Sequence, residues 1–497
     1  MPKILKKFLI PLNILVFVTL AVALFIRVYR VEALLGFYYD QGRDALVIWR
    51  LWHEAKPFLV GPVTGLVGIF LGPFYYYLIA PLYLIGGGNP IYPAGFLSFL
   101  ATLAILFLYK LGAKMHSRTA GFFAVLISGF SYYLVMSSRW LANPTPILVT
   151  SVILLYSMWE IVNRGRKFWW IVISLMIAVS LQFESASAIF YLPMILVFAF
   201  WQRKNLPGRK YSFWALLIFF ASLIPQFLFN IRHENILVKN FYRVLVEEKS
   251  FRADFWEVLP KRINYFWTVF SSKIFPERNI ISGIFLFLAG LSITSASGRL
   301  KKVISLFAIF LGAPIVGITF FQGNFGNIFD YYLTGYYFPF ILLFSIGLAE
   351  ILKLKFGKLI ILVFFILFFQ RNLPMLKNYL TTAGVPESQR ITLSTELSAV
   401  NWIFDDARGR GEFNIDVYVP PVIPYSYDYL FLWQGSLRQG NGLVKDRQVP
   451  LLYTLHEIDL NDWGKHFAWI ERQKEIGKIE SSMQFGGIVV ERRIRIK

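Results

Sequence analysis

Long apolar runs dominate the first three quarters of the chain. The first extends from Phe8 to Ile26. Others lie near 71–86, 91–110, 119–137, 145–162, 168–184, 187–201, 211–229, 279–296, 303–321, 331–350 and 358–370. A helix needs about 20 apolar residues to cross a bilayer, and several of these runs are shorter. They also carry Gly and Pro, which membrane helices tolerate. The pattern predicts a polytopic α-helical membrane protein of about 11–13 transmembrane helices. The first run follows Lys3, Lys6 and Lys7 and contains Ala21-Val22-Ala23, the shape of a cleavable signal peptide. Leu24-Phe25-Ile26 prolong the run, so it reads as an uncleaved anchor.

Polar stretches divide the chain. Residues 31–70 form a first long connection. Residues 230–278 alternate charges with aromatics, as in Phe241-Tyr242-Arg243 and Tyr265-Phe266-Trp267. That pattern predicts amphipathic helix at the membrane interface. From Asn372 the composition turns polar. Leu397–Ala407 reads as a helix, Phe413–Val419 as a strand ended by Pro420-Pro421, and Gly487–Ile496 as a second strand. The expected organisation is a transmembrane catalytic domain over 1–371 and a small α/β domain over 372–497.

Composition supports this division. The chain is 56% hydrophobic and 16% charged, with a mean hydropathy of +0.55. Soluble proteins average about 45–50% apolar and about 25% charged residues. The absence of cysteine excludes disulfides, thiolate metal sites and a thiol nucleophile. The formal charge of +21 would suggest nucleic-acid binding on a soluble protein. Its location says otherwise. Nineteen basic residues fall in six acid-free stretches: 3–7, 110–118, 164–167, 203–210, 299–302 and 353–358. Outside them 31 Lys+Arg stand against 29 Asp+Glu. These stretches alternate with junctions holding Asp40, Asp44, Glu184, Glu247, Glu248 and Asp330. The positive-inside bias then places the N-terminus in the cytoplasm and the C-terminal domain outside the cytoplasmic membrane. A full crossing by 71–86 would invert every later loop. That run is therefore expected to be short, re-entrant or juxtamembrane.

Candidate chemistry gathers in the predicted external junctions. Phe37 to Asp44 places Asp40 and Asp44 four residues apart, on one face if helical, with Arg43 between them. Two carboxylates there could hold a divalent cation, or one could be a general base. An Arg43–Asp44 pair in a hydrated loop is the plainer alternative. Gly72-Pro73-Phe74-Tyr75-Tyr76-Tyr77 reads as an aromatic belt. Arg139, in Ser137 to Pro144 with Asn143, suits a phosphate, or snorkels. Glu184 interrupts an apolar stretch as a functional carboxylate or a helix end. Asp330 precedes Tyr331 and Tyr332 and fits an N-cap. No glycine-rich phosphate loop, zinc spacing or serine-nucleophile motif is present.

The ordered set resembles the GT-C superfamily of membrane glycosyltransferases. It is most similar to the family-39-like branch, which includes protein O-mannosyltransferases and the lipid A aminoarabinose transferase. The matching features are Asp40 opening the first loop, Gly72-Pro73-Phe74-Tyr75-Tyr76, Arg139 to Pro144, and Tyr331 to Pro339. The resemblance covers roughly residues 1–370. It implies an inverting glycosyltransferase that moves a sugar from a polyprenyl-phosphate carrier to an acceptor hydroxyl on a glycan, lipid or protein at the outer face. It implies Asp40 as catalytic base, and Arg43, Arg139, Asn143, Tyr331 and Tyr332 as substrate and phosphate ligands. Asp44 or Glu184 would be a second carboxylate. A divalent cation, Mg or Mn, would use Asp40, Asp44 and Glu184. The chain departs from the family pattern in Gln41 after the first acid, in Leu71-Gly72 where relatives carry a basic residue or His, and in Asn143-Pro144 where an Asp is common. The alternative is a membrane transporter or lipid-linked-sugar flippase, for which paired broken helices in two repeated halves are expected. No such symmetry is visible in the sequence.

Overall fold

The computed structural model describes residues 12–64, 68–243, 247, 254–277, 280–294, 298–321, 326–382, 390–420, 423–438, 440, 442–458 and 463–496. Lys3, Lys6, Lys7, Phe8, Glu248, Arg278 and Pro421 lie outside the described residues. The chain opens with α1 (Leu12–Val28), the single turn α2 (Val31–Leu34) and the polar helix α3 (Tyr39–Glu54). The helices α4 (Phe74–Ile85), α5 (Ile91–Met115), α6 (Arg118–Phe130) and α7 (Tyr132–Arg139) follow. Next come α8 (Ile147–Arg164), α9 (Trp169–Phe183), α10 (Ser185–Ala188), α11 (Tyr191–Trp201), α12 (Arg209–Ser222) and α13 (Ile224–Arg232). The interface-like stretch forms α14 (Ile236–Tyr242) and α15 (Phe255–Ser272). Four further helices complete the bundle: α16 (Ile280–Thr294), α17 (Gly298–Thr319), α18 (Tyr337–Ile351) and α19 (Gly357–Thr382). A 3-10 turn, Asp330–Tyr336, leads into α18.

Among the described residues five helical stretches are long and apolar enough to cross a membrane, α18 counting together with its 3-10 turn. The pairs α6–α7 and α12–α13 qualify as bent spans, with angles of 67° and 41°. Five shorter apolar stretches accompany them, including α1, α4 and α9. The run at 71–86 is resolved by its length. At about 1.5 Å per residue, the 12 residues of α4 reach only about 18 Å. The hydrocarbon core is about 30 Å thick. Tyr75, Tyr76, Ile79 and Tyr83 of α4 share a core with α3, the start of α5 and the C-terminal region.

The C-terminal region is a cap of α20 (Leu393–Ala407), β1 (Phe413–Tyr418), α21 (Tyr425–Ser436), β2 (Leu451–Glu457), α22 (Trp463–Ile476), β3 (Gly477–Phe485) and β4 (Ile488–Arg495). Its sheet runs β1-β2-β4-β3, with β1 parallel to β2 and the other pairs antiparallel. Central β2 is buried on both faces. Tyr453 donates to Asp406 of α20, and His456 stacks near Trp469 of α22. A strand covered on both sides need not alternate apolar and polar residues, and Leu451–Glu457 does not.

The polar turn at Asn372 does not end a helix. Asn372 is buried inside α19, where it accepts from Tyr132 N and donates to Ile274 O, and the helix continues to Thr382. The cap is also continuous with the rest. Leu393 N donates to Leu35 O, Trp433 Nε1 to Gly87 O, and Tyr429 to Gly88 O. Helix α21 lies directly on α3. A Cβ at Gly42 would sit 2.3–2.5 Å from the Tyr425–Ser426 backbone, so only glycine permits this approach.

Four of the basic stretches, 110–118, 164–167, 299–302 and 353–358, meet at one end of the bundle. Lys114, Arg164 and Arg166 lie 3.0, 3.9 and 3.8 Å from the buried Glu160. His116 and Lys353 pair with Glu350, and Arg299 donates to Lys114 O. Helix α5 begins beside the cap and ends here, about 37 Å away along its 25 residues. The cap and the basic loops therefore lie at opposite ends.

Candidate active site

The site grows from the first turn of α3. Tyr38 is its extended N-cap, and Tyr38 N donates to Gln41 Oε1 at 3.1 Å. The Gln41 amide then donates to Leu141 O at 3.0 Å, tying α3 to the Arg139–Pro144 loop. A Glu here could cap the helix but could not donate that second bond. Gln41 thus acquires a role that its family comparison alone did not suggest.

Helical spacing brings Asp40, Arg43 and Asp44 to one face. Arg43 Nη1 lies 2.8 Å from Asp40 Oδ1. Its Nε and Nη2 donate to Asp44 Oδ1 at 3.0 and 2.8 Å. Tyr76 of α4 donates to the same oxygen at 2.9 Å. Asp44 is buried, whereas the Asp40 side chain is 59% exposed. Burial pushes the Asp44 carboxyl up to about 6, against the opposing pull of Arg43. Asp44 and Tyr76 therefore anchor Arg43, and Arg43 holds one oxygen of an open Asp40.

Glu184 and Asn143 come together beside the α9–α10 break. Glu184 Oε1 accepts from Ala186 N at 3.0 Å and caps α10. Asn143 Nδ2 donates to Phe183 O at 2.6 Å and lies 3.2 Å from Glu184 Oε2. Tyr331 joins the two groups. Its ring stands edge-on to Trp140 at 6.1 Å and to Tyr332 at 4.9 Å, and both Glu184 and Asp40 lie within electrostatic reach of its hydroxyl. Asp330 is the first residue of its 3-10 turn rather than the expected N-cap, a position that Phe329 holds.

Arg139 is engaged elsewhere. It donates to Ile26 O at 2.6 Å and Tyr29 O at 2.9 Å, and its guanidinium lies 5.6 Å from the Tyr379 ring. It closes the carbonyl end of α1 and links that end to the loop. Gly72 is equally constrained. A Cβ there would come within 2.4–2.6 Å of the Gln182 side chain, whose Oε1 accepts from Phe74 N. A basic residue has no room at that position without displacing Gln182.

The donor set does not fit a divalent cation. Arg43 occupies the space between Asp40 and Asp44 that a metal would need. Glu184 is already committed to a helix cap and to Asn143. Among the described residues no three His, Asp or Glu side chains converge.

A profile of the dolichyl-phosphate-mannose-protein mannosyltransferase family matches residues 71–229. No curated protein matches by sequence. In three dimensions the chain is similar to apo ArnT from Cupriavidus metallidurans, with TM-score 0.60, 11% identity and 97% of both chains covered. ArnT bound to undecaprenyl phosphate gives TM-score 0.57, 10% identity and the same coverage. The fold is GT-C. The Archaeoglobus fulgidus oligosaccharyltransferase in complex with Zn and sulfate is also similar, with TM-score 0.52 and 13% identity over 93% of this chain and 71% of its own. The chain has the ArnT-like fold of a polytopic membrane protein and resembles ArnT and the O-mannosyltransferases. The match begins at Leu71, so α3 with Asp40 and the cap lie outside the mannosyltransferase profile and inside the ArnT-like superposition.

Lys273 was not singled out by the sequence, and Trp140 and Tyr76 stood in motifs without a role of their own. Each belongs to an aromatic-rich segment, and only contact with another segment distinguishes it from interfacial packing.

Proposed function

We propose that the protein is a glycosyltransferase that moves a sugar from a polyprenyl-phosphate carrier to an acceptor hydroxyl, with inversion. The observation that carries this reading is the open Asp40 held by a buried Arg43–Asp44–Tyr76 anchor on a GT-C fold. The acceptor oxygen attacks the anomeric carbon as the bond from that carbon to the carrier phosphate breaks. The attacking hydroxyl gives its proton to Asp40, and the phosphate leaves with the bonding electrons. Approach opposite to the leaving phosphate gives inversion. Arg43 has a second part, in fixing the rotamer of Asp40. Tyr331, Tyr332 and Asn143 line the sugar side, with Glu184 as the second carboxylate. Arg139 contributes by holding the Trp140–Asn143 loop rather than by touching phosphate.

The profile match and the undecaprenyl phosphate seen on ArnT support a lipid-linked donor. The separation of basic loops from cap supports a cytoplasmic basic end, with the site at the outer face of the cytoplasmic membrane. The test uses the full chain in lipid nanodiscs with a panel of labelled polyprenyl-phosphate sugars. Transfer by the wild type and its loss in Asp40→Asn are expected. Undiminished transfer by Asp40→Asn would end the base assignment, and lipid movement without transfer would favour the flippase.

A further inference from the structure

Lys273 follows the last turn of α15 and its side chain is 2% exposed. Its Nζ lies 4.3 Å from the Tyr337 ring centroid and 5.4 Å from that of Tyr133. The carboxylate of Asp330 stands 4.0 Å away, beyond hydrogen-bond length. The ammonium lines a cavity of about 210 Å³ together with Tyr133, Thr268, Ser271, Asp330 and Glu277, the last of which is paired with Arg371 at 2.9 Å. A desolvated ammonium without a bonded anion is costly, and burial pushes Lys273 down to about 8. Aromatic faces offset part of that cost. The recess is mainly apolar, with Glu277 already paired to Arg371, so the Lys273 ammonium is the cation left there for a phosphate group.

Its position connects it to the transfer centre. Asp330 is the chain neighbour of Tyr331, whose ring packs edge-on against Trp140 of the loop that carries Asn143. The recess opens beside α15, whose Phe255, Trp256 and Ile263 are exposed, as on a helix at headgroup depth. The other expected sources of positive charge are occupied or missing. Arg139 closes α1, Arg43 is shared by two carboxylates, and Gly72 leaves no room for a basic side chain.

We propose that Lys273 binds the phosphate of the lipid carrier in the cavity between α15 and the Asp330–Tyr336 turn. This rests on the glycosyltransferase reading above. Lys273 supplies the charge that stabilises the departing phosphate, and Asp330 holds the ammonium in place until the carrier arrives.

The test measures undecaprenyl phosphate binding to the full chain in nanodiscs, by thermal protection and by inhibition of transfer. Lys273→Met should weaken binding about tenfold or more, the scale of one lost charge-assisted bond, while Lys273→Arg stays within about threefold. Asp330→Asn removes the competing carboxylate and should tighten binding. This opposite sign keeps the test decisive if Lys273→Met fails to fold. Unchanged affinity in Lys273→Met, or a loss of stability without tighter binding in Asp330→Asn, would overturn the proposal. So would equal protection by inorganic phosphate at the same concentration, which would mark a site for free phosphate rather than for the carrier. The two readings separate cleanly. Loss of transfer in Asp40→Asn with normal binding in Lys273→Met sinks only the phosphate site. Transfer by Asp40→Asn with lost binding in Lys273→Met sinks only the base.

Discussion

The two ends of the bundle use the same side-chain types in opposite ratios. At the basic end three cations surround one buried carboxylate, Glu160, and their own side chains remain 40–56% exposed. At the cap end one arginine serves two carboxylates, and one of those, Asp40, stays open. Excess cation compensates the charge of the acid and fastens loops together. Excess acid leaves a carboxylate with spare lone pairs facing solvent. A membrane protein can therefore separate anchoring from chemistry by the local balance of charge.

The largest effect that would break this comparison is on Asp40. Asp40→Asn should lower the transfer rate about 10²–10⁴-fold, the usual contribution of a positioned base, with little change in melting temperature. Asp44→Asn comes next. Arg43 would then turn wholly to Asp40 and engage the oxygen needed for the acceptor proton, so activity should fall about 10–100-fold, measured as kcat at saturating donor. Glu160→Ala should do the reverse. Its cations can resolvate, so a loss of about 1–2 kcal/mol is expected in denaturant unfolding, with transfer within about twofold of wild type.

A smaller effect concerns pH. Burial raises the Asp44 carboxyl from 3.8 to about 6 in the folded protein. The folded state then binds more protons than the unfolded state across that window. The stability contributed is present below the lower value and lost as pH rises to about 6. Melting temperature compared with Asp44→Asn should show this slope, and parallel curves for the two proteins would refute it. The smallest expected effect is that of a chelator. With Arg43 between the carboxylates, transfer assays with and without EDTA should agree within about twofold.

Much of the architecture was legible in the chain. The helix expected at Leu397–Ala407 starts one turn earlier, at Leu393, and the expected strands at Phe413 and Gly487 appear as β1 and β4. Two strands were not legible. β2 is covered on both faces and lacks alternation, and β3 is an exposed edge with few apolar residues. In the site, the i, i+3 and i+4 spacing of Asp40, Arg43 and Asp44 could be read directly. Glu184 and Arg139 could not be separated from a cap and a snorkelling cation, because each role uses the same residue type at a helix end. Lys273 gave no signal, since its distinguishing feature is a cavity made by three distant segments.

Periodicity, apolar run length and charge placement depend on local geometry and on the bilayer, so the sequence by itself determined a polytopic helical protein, its expected orientation and a carboxylate-bearing turn after the first helix. Which carboxylate stays open is a matter of desolvation and of partners brought from far along the chain. Only the tertiary structure could decide that Asp44 is sealed under Tyr76, that Arg139 closes α1, and that Lys273 faces a recess next to Asp330.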